Sequence, residues 1–225
     1  MSPAPVKQKQ QPPQPPVRRQ PDRSAGSRDR LLAAAAAEFA ARGFAGANVD
    51  RIARAARLNK AMIYYHFTSK AALYREILRD LFEAVARRVS DTARSQAEPA
   101  DKIRAFVEAI AIEAEARPHF PPIWFREIAE GGAHLDAATV THIATVLKTL
   151  GAIVKEGVDA GRFRPVRPLL VHAGIVGPLL LFFASGGIRR RLERGGLRGA
   201  GDFTRDEVVA HIQRVALTTL EGQPS

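Results

Sequence analysis

Apolar residues recur three and four positions apart in one segment of the chain after another. This period places them on one face of an α-helix, and no segment alternates as a half-buried β-strand does. Asn, Asp, Ser or Gly stand where several segments begin or end, as helix caps do. The pattern predicts an all-α protein of about nine helices, at residues 28–42, 49–58, 60–66, 70–95, 101–117, 118–130, 136–160, 165–184 and 204–221.

The segment at residues 48–73 predicts two short helices joined by a tight turn. Asn48 and Asn59 are favourable N-caps, because each side-chain oxygen can accept a hydrogen bond from a free N–H of the first turn. Ile63 and Phe67, four residues apart, mark the inward face of the second helix. A third helix follows at once from Lys70. This layout is typical of a helix-turn-helix, whose second helix enters the major groove of DNA.

The outward face of this segment is chemically suited to DNA. Lysines neutralise phosphates, Tyr and His side chains donate hydrogen bonds to phosphate oxygens, and apolar residues of the first helical turn can contact thymine methyl groups. An alternative is that the tyrosines pack on a neighbouring helix and that His66 is a buried, hydrogen-bonded histidine. The predicted DNA-binding residues are Asn48, Asn59, Lys60, Ala61, Met62, Tyr64, Tyr65, His66 and Lys70.

One run of residues resembles a known family. The sequence Tyr64-Tyr65-His66-Phe67, with Ser69-Lys70 and Leu73 behind it and Ile52-Ala53 before it, is similar to the DNA-binding domain of the TetR family of bacterial transcription regulators. The resemblance covers residues 28–81. It implies a ligand-responsive regulator, most often a repressor, that dimerises through its last two long helices. Carried over to this chain, it implies DNA contacts by Lys60, Tyr64, Tyr65, His66 and Lys70.

This chain departs from the family pattern at several positions. Arg57 stands in the turn where the family usually has Gly. Either Arg57 adopts a sterically strained backbone conformation, or the geometry of the turn differs slightly from that of the family. Ala61 replaces a frequent Gly and Met62 a frequent Thr, which makes the base-reading surface more apolar. Ala71 and Ala72 stand where Glu is common, so the partner of a capping box is missing. The operator sequence therefore cannot be predicted.

The positive charge is concentrated in the N-terminal third of the chain. The net charge of the 225 residues is +11, and residues 1–80 hold fifteen Lys and Arg against six Asp and Glu. A field of this sign steers association with a polyanion. The chain has no cysteine, which excludes disulfides, thiolate metal sites and cysteine nucleophiles.

Residues 1–26 form a segment rich in Pro, Gln and basic residues, without an apolar face. We expect this segment to be disordered, and it has no apolar stretch typical of a secretory signal. It is either a basic arm that adds non-specific DNA affinity or a solvated tail without a role. The arm would act through Lys7, Lys9, Arg18, Arg19, Arg23 and Arg28.

The remaining chain divides into a helix-turn-helix domain at residues 27–80 and a helical ligand-binding and dimerisation domain at residues 81–225. The larger domain has apolar and aromatic residues on several helices, as a pocket for a small, largely apolar molecule requires. Ordinary core packing is the alternative for each of them. The predicted pocket residues are Phe106, Ile110, Phe120, Trp124, Phe125, Glu127, Ile128, His142, Leu147 and His172.

No cofactor, metal site or enzymatic activity is expected. His134 and His142 are eight residues apart, and no pair of carboxylates stands at a recognised metal-binding spacing. A Gly-rich phosphate loop, a nucleophile elbow and a zinc-hydrolase motif are also missing from the sequence.

Residues 169–188 contain no charged side chain and are long enough to span a bilayer. A helix that is apolar on all sides is also what a subunit interface requires, and Gly and Pro lower the apolar density here, so we favour a homodimer interface over a membrane anchor. Pro178 should kink or break this helix near Gly177. The predicted interface residues are Leu169, Leu170, Ile175, Leu179, Leu180, Phe183, Val208, Ile212 and Val215.

The glycine- and arginine-rich segment at residues 186–201 is expected to be a mobile loop. Taken together, the sequence predicts a cytoplasmic, homodimeric regulator that binds a palindromic double-stranded operator and releases it when a small, largely apolar effector binds near Trp124. A membrane-tethered regulator anchored by residues 169–188 and a non-specific nucleic-acid-binding protein are the alternatives.

Overall fold

The computed structural model describes residues 23–199 and 201–222. Within these ranges the chain forms ten α-helices and no β-strand, which confirms the all-α prediction. Of the predicted tail at residues 1–26, residues 1–22 lie outside the described residues. The helices are α1 (Arg23–Gly46), α2 (Val49–Ala55), α3 (Ala61–Phe67), α4 (Lys70–Ala93), α5 (Pro99–Ala116), α6 (Phe120–Ala129), α7 (Ala137–Asp159), α8 (Pro168–Ala184), α9 (Gly186–Arg194) and α10 (Arg205–Glu221).

The first helix begins earlier than the sequence pattern indicates. It starts at Arg23, so its first four residues overlap the predicted tail, and Arg28 belongs to α1 rather than to a basic arm. The Arg28 guanidinium lies over the Phe67 ring, 5.5 Å from its centroid, and pairs with Glu76. Gly43 has a positive φ of 68° and interrupts the helical geometry of α1. Arg28 thus fastens α1 to the end of α3.

Local capping sets the starts of the helices that follow. The Asn48 side chain accepts a hydrogen bond from the Asp50 N–H at 2.7 Å, and that of Asn59 accepts from the Ala61 N–H at 2.9 Å. The Ser69 hydroxyl accepts from the Ala72 N–H at 3.0 Å, and Asp136 caps α7 through the Thr139 N–H at 2.8 Å. Each bond satisfies a donor that the first turn of a helix leaves free.

Two hydrophobic cores meet along α4. The N-terminal core takes residues from α1 to α3 and from α4 as far as Leu78, whereas the core of the larger domain begins at Leu81. One residue of the larger domain, Ile123 of α6, is buried in the N-terminal core. Beyond this joint, α4 packs mainly against α5 and α7, while α8 packs against α10, α7 and α5. The two domains therefore share a helix and a buried side chain.

One expectation about the C-terminal helices is wrong, and one of the two outcomes expected at Pro178 is excluded. The segment expected to be a loop contains α9, which follows α8 at a bend of 58°. Arg189 stabilises the bend, since its guanidinium donates to the Phe182 carbonyl and, at 2.8 Å, to the Ser185 hydroxyl. Pro178 does not break α8, which continues to Ala184. The carbonyl of Gly174, four residues before the proline, lies on an exposed turn where water can hydrate it.

Among the described helices, α7 alone is long and apolar enough by itself to cross a membrane, and α8 with α9 passes the same test only as a bent pair. Both α7 and α8 contribute buried residues to the core of the larger domain, including Leu150, Ile153, Ile175 and Leu179. Their apolar character is thus used in packing within the protomer.

Candidate DNA-binding surface and regulatory cavity

The third helix presents a short exposed face on a buried support. Ile63 and Phe67 are buried in the N-terminal core and anchor α3 from beneath. On the other side Tyr64 is 47% exposed and Tyr65 is 74% exposed, and Ala61 is also exposed. Two phenolic hydroxyls next to a small residue can contact a DNA backbone and a groove edge together.

Lys60 stands immediately before α3 and is exposed. Its Nζ lies 3.0 Å from Asp50 Oδ1 and 3.2 Å from Asp50 Oδ2, so it pairs with α2. The hydrogen bond from Lys60 to Asp50 raises the pKa of the lysine above its usual value. A phosphate that binds Lys60 must therefore compete with a carboxylate of the protein.

Lys70, predicted to bind DNA, is engaged within the protein. Its Nζ donates to the carbonyls of Phe44 at 2.9 Å and Ala47 at 3.1 Å and lies 4.7 Å from the centroid of the Phe44 ring. A cation next to free carbonyls at a helix C-terminus is stabilising. This lysine therefore fastens α4 to the end of α1.

The other predicted DNA-binding residues are only partly exposed or serve as caps. Met62 is half-buried and packs against the N-terminal core. His66 is half-buried, its ring meets that of Tyr65 edge-on at 4.9 Å, and its Nε2 has no hydrogen-bond partner among the described residues. Asn48 and Asn59 are exposed, but their side-chain oxygens are used in capping α2 and α3.

The turn between α2 and α3 has the unfavourable backbone that the sequence indicates. Arg57 has a φ of 54°, in the left-handed region that Gly adopts without steric cost. Thr68, just after α3, has a φ of 59°, which is unusual for a β-branched residue. A residue with a strained backbone thus stands on each side of α3.

A small, narrow cavity of about 40 Å³ lies between α4, α5, α6, α7 and α8. Its aromatic wall consists of Phe82, Phe120 and Trp124, with the Phe82 and Trp124 ring centroids 4.8 Å apart. His172 is its polar lining residue, and burial lowers the pKa of this histidine. A neutral imidazole therefore faces an apolar space.

Of the predicted pocket residues, Ile110, Phe120, Trp124 and His172 line this cavity. The others do not. Phe106 is fully buried in the core, Phe125 packs half-buried against it, and His142 and Leu147 are half-buried on α7. Ile128 is exposed, and Glu127 lies in a separate cluster at the domain joint. Ile143, another apolar residue expected from the sequence to surround the pocket, also lines the cavity. The lining residues that sequence reasoning missed are Phe82, Val85, Val146 and Val176.

Glu127 is fully buried at the joint between the two domains. One of its carboxylate oxygens accepts from the His134 N–H at 2.7 Å, and the other accepts from the Tyr74 hydroxyl at 3.1 Å. Burial and the adjacent Glu127 charge raise the pKa of Tyr74, so the phenol stays protonated. Glu130 and the His134 ring complete a cluster in which three side chains can each offer one ligand atom. The three residues stand at i, i+3 and i+7 in the sequence, a spacing that the pair His134 and His142, eight residues apart, does not reveal.

The predicted dimer face divides into exposed and buried parts. Leu169 and Leu170 of α8 are 63% and 68% exposed, and Val215 of α10 is also exposed. Phe183 and Val208 are half-buried. The remaining predicted interface residues are buried within the protomer and are unavailable to a partner, because this side of each helix packs on the protomer's own core: Ile175, Leu179, Leu180 and Ile212.

Comparison with known proteins agrees with this architecture. Residues 31–77 match the model of the tetR family of bacterial regulatory proteins, and residues 99–193 match that of the tetracyclin repressor-like C-terminal domain. The chain is 33% identical over 135 residues to the HTH-type transcriptional repressor SCO4008 of Streptomyces coelicolor, covering 59% of this chain and 65% of that protein. It is 30% identical over 147 residues to the repressor KstR2 of Mycolicibacterium smegmatis, covering 64% and 71%. The chain thus aligns with about two thirds of each relative's length.

Solved structures show the same fold. The ketosteroid transcriptional regulator KstR2 of Mycobacterium tuberculosis is similar with a TM-score of 0.68 at 22% identity, over 87% of this chain and 95% of that one. PfmR of Thermus thermophilus, a TetR family transcriptional regulator, is similar with a TM-score of 0.67 at 24% identity, over 88% and 97%. These relatives are transcription regulators rather than enzymes. The chain therefore belongs to the TetR family of bacterial transcription regulators and is a DNA-binding regulator.

Proposed function

We propose that this protein is a cytoplasmic repressor that binds a palindromic operator as a homodimer and is released by a small, largely apolar effector. The observation that carries the proposal is the exposed face of α3, where Ala61, Tyr64 and Tyr65 stand beside Lys60. This face is small, convex and supported by a buried core, as a helix that enters a major groove must be.

We place the residues of the DNA contact in two groups. Lys60, Tyr64 and Tyr65 bind the phosphates and set the orientation of α3, and Ala61 meets the base edges. Lys70 acts indirectly, since it holds α1 and α4 together beneath the surface. Two protomers would place their α3 helices in successive grooves, about 34 Å or slightly more apart.

The homodimer would form through the exposed apolar side of α8 and α10. Leu170 and Leu181 of α8 and Val215 of α10 are large apolar side chains exposed on adjacent helices. Burial of such side chains in a second protomer contributes roughly 25 cal/mol for each Å² removed from water. The membrane-anchor alternative rests on the uncharged run of residues 169–188, and the packing of the other face of α8 into the core disfavours it.

The effector would enlarge the cavity around Trp124. About 40 Å³ is far below the roughly 300–1,000 Å³ of ligand sites, so α4, α7 and α8 must separate to admit it. Because α4 continues into the N-terminal core, this separation would shift the position of α3. The neutral His172 favours an uncharged effector with one hydrogen-bonding group. KstR2 is described as a ketosteroid regulator, so steroid-like molecules are the first candidates for a screen.

A binding titration tests the proposal. Purified protein is added at fixed moderate salt to a labelled duplex from upstream of its own gene and to a scrambled duplex of equal length. We expect tight binding to the natural duplex alone. The Lys60→Ala/Tyr64→Ala variant should lose roughly 100-fold in affinity for it, since it removes two backbone contacts.

The matched control is Lys148→Ala, which removes one lysine from an exposed position on α7 and should bind as the parent protein does. Equal affinity for both duplexes, unchanged in the double variant, would contradict specific recognition by α3. It would favour the alternative of a non-specific nucleic-acid-binding protein.

A further inference from the structure

We propose that Glu127, Glu130 and His134 form a binding site for a divalent transition-metal ion, for which Zn²⁺ is the best fit. The three residues lie on α6 and on the turn that follows it, and their ligand atoms all lie within 4.8 Å of one another. The site is separate from the cavity around Trp124, so it is independent of the proposed effector.

The distances between the ligand atoms are close to those of a zinc site. His134 Nδ1 lies 3.1 Å from Glu127 Oε2 and 3.5 Å from Glu130 Oε2. In a tetrahedral site with zinc–ligand bonds near 2.0–2.1 Å, neighbouring ligand atoms are roughly 3.3 Å apart. Two edges of the tetrahedron are thus already formed, and a small movement of the half-exposed Glu130 side chain would complete the third.

The charges of the cluster also favour a cation. Glu127 is fully buried, yet its hydrogen bonds come from a phenol, a backbone N–H and an imidazole. Among the ion pairs of the described residues, neither Glu127 nor Glu130 has a Lys or Arg partner. A buried carboxylate without a cation is costly, and a divalent ion would neutralise both carboxylates at once.

The donor set selects among metals. One imidazole nitrogen with two carboxylate oxygens suits Zn²⁺ or a neighbouring transition metal, whereas Mg²⁺ and Ca²⁺ prefer oxygen ligands alone. The Tyr74 hydroxyl donates to the same Glu127 oxygen that faces the site, at 3.1 Å, and so orients this ligand. Glu130 is partly exposed, which leaves water access to the fourth position.

The position of the site gives it a structural consequence. The His134 ring lies 4.1 Å from the Phe44 ring at the end of α1, and Tyr74 belongs to α4. The Nζ atom of Lys70, on α4, lies 4.7 Å from the centroid of the same Phe44 ring. An ion bound by Glu127, Glu130 and His134 would therefore fix the turn after α6 against the DNA-binding domain.

Isothermal titration of Zn²⁺ into tag-free, chelator-treated, full-length protein tests the site. We expect one Zn²⁺ per protomer, with an affinity that falls by roughly tenfold or more in Glu130→Gln and in His134→Asn. Zn²⁺ should raise the melting temperature of the parent protein, because it binds the folded state, and not that of either variant. Mg²⁺ at the same concentration should leave it unchanged.

Two control variants distinguish this site from adventitious binding. Glu83→Gln removes an exposed carboxylate on α4, and His142→Asn removes a histidine on α7 outside the cluster. Both should keep the parent affinity for Zn²⁺. The proposal is overturned if no heat of binding is observed and Zn²⁺ leaves the melting temperature of the parent protein unchanged. It is also overturned if Glu130→Gln and His134→Asn bind Zn²⁺ as tightly as the controls do.

Discussion

The surface of α3 and the cavity around Trp124 differ in how ready each is to receive its ligand. On α3 the side chains of Tyr64 and Tyr65 already extend into solvent, 47% and 74% exposed, above a well-packed core. Around Trp124 the aromatic rings close on one another and leave about 40 Å³. DNA binding would need little change within the domain, whereas effector binding would need helices to move apart.

This difference indicates which of the two binding steps requires a conformational change. A surface that is already formed binds its ligand with little cost of rearrangement. A cavity that admits its ligand only after helices separate has a lower apparent affinity, reduced in proportion to the fraction of molecules in the open state. Under the proposed function, so small a cavity would hold the regulator in its DNA-binding form until an effector supplies enough binding free energy to open it.

The largest effect is expected from Gly157→Ala in α7. A Cβ at this position would lie 2.0 Å from the buried Phe163 ring, which cannot move without disturbing the core. We expect the free energy of unfolding to fall by about 3 kcal/mol, as for overpacked sites. Urea unfolding followed by circular dichroism measures this.

Gly151→Ala in the same helix is the matched control. A Cβ there would make an ordinary contact of 3.8 Å with Pro168. Alanine should therefore raise the free energy of unfolding by up to about 1 kcal/mol through helix propensity. Equal effects at both positions would contradict close packing of Gly157 against the Phe163 ring.

Val146→Ala should open the cavity from within. Val146 is buried and lines the cavity, so its truncation should lower the free energy of unfolding by about 2 kcal/mol. The enlarged apolar space, still smaller than the roughly 150 Å³ that admits benzene, should then bind xenon, seen as a rise in melting temperature under xenon pressure. Val154→Ala removes the same atoms from a buried position outside the cavity lining and should be destabilised without binding the probe.

Lys70→Ala and Lys60→Ala should affect different properties. Lys70 donates to two carbonyls at the end of α1, so its loss should lower the free energy of unfolding by about 1.5 kcal/mol. Lys60→Ala should leave the melting temperature unchanged, weaken operator binding roughly tenfold, and reduce the slope of log affinity against log salt by about 1. If both variants lost DNA affinity without loss of stability, Lys70 would have to contact DNA directly.

The smallest effect is expected from Arg57→Gly. Glycine at a φ of 54° relieves a steric cost, part of which its greater unfolded-state freedom offsets, so stability should rise by about 0.5–1 kcal/mol. Arg57→Ala keeps the Cβ and should give no such gain. A similar change in both variants would mean that loss of the arginine side chain, not the backbone, is responsible.

Features set by neighbours in the sequence were predictable, and those set by distant contacts were not. The predicted cap at Asn48 is confirmed by a hydrogen bond that spans two residues, and the capping bonds of Ser69 and Asp136 span three. The helical period also identified Ile63 and Phe67 as the inward face of α3, which their burial confirms.

The faces of α8 show the limit of this reasoning. The helix is apolar on all sides, so the sequence pattern does not indicate which side faces the core. In the structure Ile175 and Leu179 face inward, whereas Leu170 and Leu181 face outward. Likewise, Phe82 of α4 lines the cavity because α6 and α8 pack beside it. The cluster of Glu127 and Tyr74 joins residues 53 positions apart, a distance that no local pattern reports.

The burial of Ile123 in the N-terminal core has a consequence for protein engineering. A chimaera that joins the DNA-binding domain of this chain to a different sensor would leave an unfilled space where this side chain inserts between α1 and α4. The new sensor must supply an apolar side chain of similar size at the same place. The exchangeable unit of this regulator is therefore residues 23–80 together with the helix turn that carries Ile123.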